Sequence, residues 1–226
     1  MMRVIIYNIK TSTIQHANNT QYYGGIFMGK TLITISRQHG SNGTKVAQIL
    51  AERLGIWYYN RDILCLAADR IGIDSMDDEF IESLNYAKGS KYMEGLSMMM
   101  GSSRDHIPVY NRMFKEQADV IKKLADYGSG VFLGRCADYV LKDEPGVCSV
   151  YIYAGEEYRL KHLSETEGKE VTRAEMKKED KRRESYYNYY TGQQWGDLTN
   201  YDLAINMEKI SPEDAADLII DYMEKR

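Results

Sequence analysis

The segment from Leu32 to Gly55 constrains the fold more than any other part of the chain. Leu32-Ile33-Thr34-Ile35 is a compact β-type run, and Gly40-Ser41-Asn42-Gly43 is a glycine-rich turn. Val46, Ala47, Leu50 and Leu54 then recur at helical spacing until Gly55 stops the helix. This is the start of a βα unit, and the alternation continues. Ile56–Tyr59, Val131–Leu133, Val147–Tyr153 and Asp202–Asn206 are further strand candidates. Between them lie helical stretches: residues 62–105, 111–126 with Met113, Ala118, Ile121 and Leu124 on one stripe, 156–164 and 172–190. A last helix opens with Ser211 as N-cap, Pro212 in the first position and Glu213 and Asp214 in the first turn, where acids suit the helix dipole. Strands separated by helices predict an α/β fold with a largely parallel sheet of about five strands flanked by helices. Ligands of such sheets bind beyond the C-terminal strand ends, so the loops after Ile35, Tyr59, Leu133 and Tyr153 hold the interest.

The 226 residues suffice for one domain with a buried core. Residues 1–29 match the rest poorly. Val4–Tyr7 reads as a short strand and Gln15–Gln21 as loop, so 1–29 is taken as an N-terminal appendage, with Met28 as a candidate functional start and 30–226 as a single domain. A net charge of −4 argues against nucleic acid as a partner, since such binders carry a basic field. Cys65, Cys136 and Cys148 lack CxxC spacing, which speaks for reduced thiols rather than a metal site or disulfide framework. No apolar run reaches the roughly 18 residues of a membrane span, and residues 1–14 lack the pattern of a signal peptide. The expectation is a cytoplasmic protein with no membrane partner; a homodimer is compatible with these features.

The turn after the first strand is a natural phosphate site. Backbone N–H groups at a helix N-terminus are unpaired, and glycines let the backbone approach an anion. The usual phosphate-loop pattern, GxxxxGK[ST], is nevertheless absent. Aligned without gaps, Arg37 takes the first glycine position, Asn42 the second, Gly43 the lysine and Thr44 the hydroxyl position. Slipped by two residues, Lys45 becomes the lysine and Val46 replaces the hydroxyl. The gapless register is preferred because Val46-Ala47 and Leu50–Gly55 then fall in place. It makes Gly40, Ser41, Asn42, Gly43, Thr44 and Lys45 the candidate ATP phosphate-binding residues and Thr44 the candidate magnesium ligand.

Four segments together resemble the cytidylate kinase-like family of P-loop kinases, from about Met28 to the C-terminus. They are Ile35-Ser36-Arg37 through Gly43 with Leu50–Gly55; Tyr58-Tyr59-Asn60-Arg61-Asp62; Gly134-Arg135-Cys136-Ala137-Asp138-Tyr139; and Tyr186–Asp197 followed by Asn200-Tyr201-Asp202-Leu203. The resemblance implies a P-loop NTPase-type core, a helical monophosphate-binding insertion at about 62–115 that selects the acceptor, and a mobile lid at about 165–195. It further implies that Gly134-Arg135 binds the acceptor monophosphate, with Asp138 counted in the same acceptor site. Arg135 suits this because a guanidinium grips phosphate oxygens in pairs; an arginine that caps the next helix or pairs with Asp138 is the plainer alternative.

The cofactor expected is Mg2+ with ATP, and the partners are ATP and a small phosphorylated acceptor. Phosphoryl transfer asks a protein mainly for positioning and positive charge, so Arg37, Arg182 and Arg183 are the candidate catalytic cations. The helix carrying the last two also holds Glu175, Glu179 and Glu184, which fits an ordinary solvated face. The tyrosines at 186, 187, 189 and 190 read as helix packing rather than base stacking. Three functions compete: an ATP-dependent phosphotransferase acting on a nucleoside monophosphate or similar acceptor, a catalytically impaired nucleotide-binding regulator, and a structural α/β protein.

Overall fold

A computed structural model describes residues 29–72 and 109–226. The N-terminal segment and most of the expected insertion, including Met98–Met100, lie outside the described residues. The elements are β1 (Leu32–Arg37), α1 (Gly43–Leu54), β2 (Trp57–Tyr59), α2 (Asp62–Arg70), α3 (Val109–Tyr127), β3 (Gly130–Leu133), α4 (Ala137–Val140), β4 (Val147–Tyr153), α5 (Glu156–Glu167), α6 (Arg173–Thr191), β5 (Leu203–Asn206) and α7 (Pro212–Glu224).

All five strands are parallel, in the order β2-β3-β1-β4-β5. Strand alternation splits the sheet into two faces. Ile33 and Ile35 join Val150 and Ile152 in a core closed by Val46, Ala47 and Leu50 of α1 and by Ala215 and Ile219 of α7. Leu32 and Phe132 face the other way, onto Ile63 of α2, Ile121 and Leu124 of α3 and Ala137 of α4. The expected caps are present. Gly55 ends α1 in the left-handed conformation, and the Ser211 hydroxyl accepts from the Asp214 N–H at the start of α7.

The strand order fixes where a ligand site belongs. From β1 the chain passes outward to β2, whereas from β3 it crosses β1 to reach β4. The C-terminal end of β1 therefore lies at the reversal point, flanked by the turns that leave β3 and β4. Arg37 ends β1 there, and Gly134-Arg135 leaves β3 beside it.

Candidate functional site

The turn after β1 is closely fitted. Ser41 is buried, and its hydroxyl donates to the carbonyls of Gln38 and Ile152. Gly40 has φ +79°, and a Cβ there would lie 2.7 Å from Cγ of Leu163. Asn42 sits at the N-cap of α1 with φ 63°, a conformation asparagine tolerates better than most residues, and its side-chain amide donates to the Tyr158 hydroxyl at 2.9 Å. The first turn of α1 has neither an acidic residue nor a side-chain cap, so its opening N–H groups keep their partial positive charge. Thr44 and Lys45 are exposed at this helix start.

The Arg37 side chain packs directly against Gly43. A Cβ at Gly43 would lie 2.6 Å from Cβ of Arg37 and 3.3 Å from Cβ of Ile152. The same arginine reaches onward to Gly134, where Nη1 takes the room a Cβ would need. Two glycines, one in each turn, thus accommodate one side chain.

The turn leaving β3 has three consecutive residues at positive φ: Gly134 (70°), Arg135 (61°) and Cys136 (55°). For a non-glycine residue this costs about 1–2 kcal/mol, and strain of that kind concentrates at functional sites. Arg135 and Cys136 line a cavity of about 60 Å³ together with Arg37, Arg183, Ser36 and Trp195. Arginines from three separate parts of the chain, the end of β1, the turn after β3 and α6, line this space, which has room for a small oxyanion group. Cys136 is buried, and burial pushes its thiol up, so it stays protonated.

Arg183 arrives on α6, where Nη1 donates to the Arg37 carbonyl at 3.0 Å and Nε lies 3.5 Å from Glu179. Arg182, one residue earlier, pairs with Glu179 at 3.0 Å and does not line the cavity. Asp180 does something the charge pattern did not signal. Its carboxylate accepts from the His39 N–H at 2.7 Å, inside the turn, and also pairs with the buried Arg159. Arg159 in turn donates to the His39 carbonyl at 3.2 Å. Burial, followed by the charge of Arg183, lowers the His39 pKa, which keeps its imidazole neutral at pH 7.

The second half of α6 is anchored. Tyr190 stacks on Phe114 of α3 at 4.0 Å between ring centroids and donates to the Tyr110 carbonyl. Tyr187 donates its hydroxyl to the buried Asp138 at 2.7 Å. Beyond the helix, the Trp195 indole N–H donates to Ser36 on β1. The tyrosines therefore pack the helix, as their spacing suggested. Asp138 lies beneath the arginine cavity as a hydrogen-bond acceptor for Tyr187, outside the cavity lining.

Burial raises the Asp138 pKa to about 6 from 3.8, with the Tyr187 hydrogen bond and backbone N–H groups pulling the other way. A raised value means the folded protein holds the proton more tightly. Ionisation thus subtracts stability, progressively between pH 3.8 and about 6 and fully above that. The gap is worth about 3 kcal/mol with those hydrogen bonds already counted; burying an asparagine amide in place of the carboxyl offsets part of it, leaving a net gain of about 1 kcal/mol. Asp138→Asn should therefore melt about 2–4 °C above wild type at pH 8 and no higher than wild type at pH 4, by calorimetry at both values. A lower melting temperature at both would show that the carboxylate itself is required.

Among the described residues, no group of three or more His, Cys, Asp or Glu is placed to hold a metal. Magnesium bound with nucleotide phosphates keeps several waters and needs only one or two protein ligands, which the exposed Thr44 hydroxyl at the start of α1 fits. Among the described residues no helix is long and apolar enough to cross a membrane.

Comparison with known proteins agrees with this architecture. The model of the cytidylate kinase-like family matches residues 32–209. No curated protein matches the chain. Among solved structures, an uncharacterized protein from Eubacterium ventriosum ATCC 27560 is 28% identical, covering 87% of this chain and 100% of its own, with a TM-score of 0.64. A gluconokinase from Sinorhizobium meliloti 1021 is 13% identical over 87% of this chain and 93% of its own, with a TM-score of 0.51. A sugar kinase from Janibacter sp. HTCC2649 is also 13% identical, over 87% and 95%, with a TM-score of 0.50. The last two likenesses carry the fold alone: a parallel sheet flanked by helices, of the P-loop kinase type.

Proposed function

We propose that this chain, which belongs to the cytidylate kinase-like family, is a phosphotransferase that moves a phosphoryl group from ATP–Mg to a small phosphorylated acceptor, a nucleoside monophosphate being the family's default. The observation that carries this reading is the convergence of Arg37, Arg135 and Arg183 on one cavity at the C-terminal end of β1.

In this reading the opening N–H groups of α1, with the turn from Gly40 to Lys45, receive the donor phosphates. Magnesium, when bound, neutralises phosphate charge, with Thr44 as its protein ligand. Arg37 takes over the work of the missing lysine, since its guanidinium already lies between the turn and Gly134. Arg135 holds the acceptor phosphate, and Arg183 adds positive charge from α6. Such charge, placed before reaction, is most of what phosphoryl transfer requires. Arg182 is the weaker catalytic candidate, because it faces Glu179. The domain is residues 30–226, with an insertion at about 62–115 and a lid at about 165–195. Tyr187 and Tyr190 hold the second half of α6, and Asp180 and the buried Met176 hold its first half to Arg159, the turn at His39 and Leu163 of α5, so lid opening requires these contacts to break. A cytoplasmic location fits the reduced cysteines.

A second reading, a nucleotide-binding regulator that has lost catalysis, is favoured by one observation. The lysine of the usual phosphate loop is missing, with Gly43 at its position in the gapless register. Thermal melting and turnover separate the cases. ATP–Mg at ten times its Kd should stabilise the wild type by about 1.4 kcal/mol, or about 3–5 °C. Arg37→Ala should lose turnover as well as this shift. A shift without turnover against a panel of monophosphates supports the regulator. No shift with any nucleotide removes both readings.

A further inference from the structure

Helix α6 grips the phosphate turn at two adjacent peptide groups. Arg183 donates to the Arg37 carbonyl, and Asp180, three residues earlier on the same helix face, accepts from the His39 N–H. A carboxylate on a backbone N–H of this turn is chemically what a phosphate oxygen would be there: an anionic acceptor.

The counter-charge is built in. Arg159 of α5 pairs with the second Asp180 oxygen and donates to the His39 carbonyl at 3.2 Å, so the two side chains hold both backbone groups of His39. Arg159 is only 5% exposed, and a guanidinium so deeply buried is costly without an anion beside it. Its Nε has no hydrogen-bond partner among the described residues, so the arginine can serve more acceptor atoms than the carboxylate supplies. The turn itself is fixed. A Cβ on Gly40 would lie 2.9 Å from the Arg159 carbonyl oxygen, and the Ser41 hydroxyl is bonded to Gln38 and Ile152. Asp180 is the part with room to move. Its side chain is 16% exposed and lines an open groove of about 560 Å³ between α6 and β4, next to Gln38 and Trp195. Trp195 also lines the arginine cavity, so the two spaces adjoin.

We propose that Asp180 is an internal competitor for phosphate, its carboxylate clasping the His39 N–H and neutralising Arg159 until a phosphate group takes over both. The displaced carboxylate turns into the groove, and α6 loses one of its holds on the turn. This rests on the turn being a phosphate site, as in the phosphotransferase reading, and does not depend on turnover. It makes phosphate binding and release of the clasp one equilibrium, so each weakens the other.

The test is calorimetric titration of the wild type, Asp180→Asn, Asp180→Ala and Glu184→Gln with inorganic pyrophosphate and with ATP–Mg. Melting curves set a temperature at which all four are folded. Asp180→Asn keeps an oxygen for the His39 N–H and removes the charge. Glu184→Gln removes a charge from the same helix and groove, where Glu184 pairs with Lys181. Both Asp180 variants should bind pyrophosphate about tenfold or more tightly than the wild type, the factor expected when a charge-assisted competitor is lost. Pyrophosphate should also raise their Tm by more than it raises that of the wild type. Glu184→Gln should gain less than about threefold, since a charge that does not touch the turn is screened by salt. Unchanged or weaker binding in both Asp180 variants makes Asp180 a structural clasp and overturns the proposal, while wild-type binding keeps the phosphate turn. An equal gain in Glu184→Gln overturns it as well, because general charge would then explain the effect. Four proteins that bind neither pyrophosphate nor ATP–Mg overturn both the proposal and the reading beneath it.

Discussion

Replacing Arg135 by glycine should weaken binding of the acceptor phosphate by about ten- to a hundredfold while changing stability by less than about 1 kcal/mol. The two effects come from different atoms. Arg135 lines the three-arginine cavity, and loss of a charge-assisted contact costs about 1.5–3 kcal/mol. The backbone has φ 61°, which glycine adopts freely and arginine does not. Relief of that strain, about 1 kcal/mol, is offset by the greater freedom glycine gives the unfolded chain. Arg135→Ala keeps the strained backbone and should lose the same binding. Titration with phosphate and acceptor, alongside thermal melting of both variants, reads the two effects separately. A fall in stability with unchanged phosphate binding would make Arg135 a structural residue of the turn.

That turn also shows where sequence reading stops. Strands and helices were legible because each carries a period: Ile33 and Ile35 alternate with Leu32 and Thr34 across the sheet, and the apolar spacing of α1 fixes its buried face. The cap of α7 was legible because Ser211 and Pro212 act on their immediate neighbours. The left-handed backbone at Asn42, Arg135 and Cys136 had no such local sign, since two of the three residue types seldom adopt it. Asp180 was hidden for another reason. In a helix of alternating charge every acid looks alike, and only tertiary packing shows that this one meets Arg159 and the turn at His39. Trp195 stood in the family-like segment with nothing to say that it would separate a phosphate-sized cavity from a larger groove.

Restoring the usual lysine by Gly43→Lys should fail on its own and succeed only together with Arg37→Gly. In the gapless register Gly43 stands at the lysine position and Arg37 at the first glycine position. The structure gives a physical reason for the two to go together. A Cβ at 43 would lie 2.6 Å from Cβ and 3.0 Å from Cγ of Arg37, well inside van der Waals contact. Gly43→Lys therefore forces Arg37 or α1 to move, at a cost of about 1–3 kcal/mol, and displaces the guanidinium from the cavity. Removing the arginine side chain first leaves only the Ile152 Cβ close, at 3.3 Å, a contact that a small shift relieves. In a double-mutant cycle the two positions should show a coupling of about 1 kcal/mol or more, Gly43→Lys being much less harmful beside Arg37→Gly. Adding Asn42→Gly completes the GxxxxGK[ST] pattern, with Thr44 already in the hydroxyl position. ATP–Mg should then bind more tightly than to either single variant, by titration. An equal penalty for Gly43→Lys in both backgrounds would show that Arg37 is not what fills the lysine position. If the triple variant folds but binds no nucleotide, while wild type binds and Lys45→Ala does not, the slipped register holds and Lys45 carries the charge.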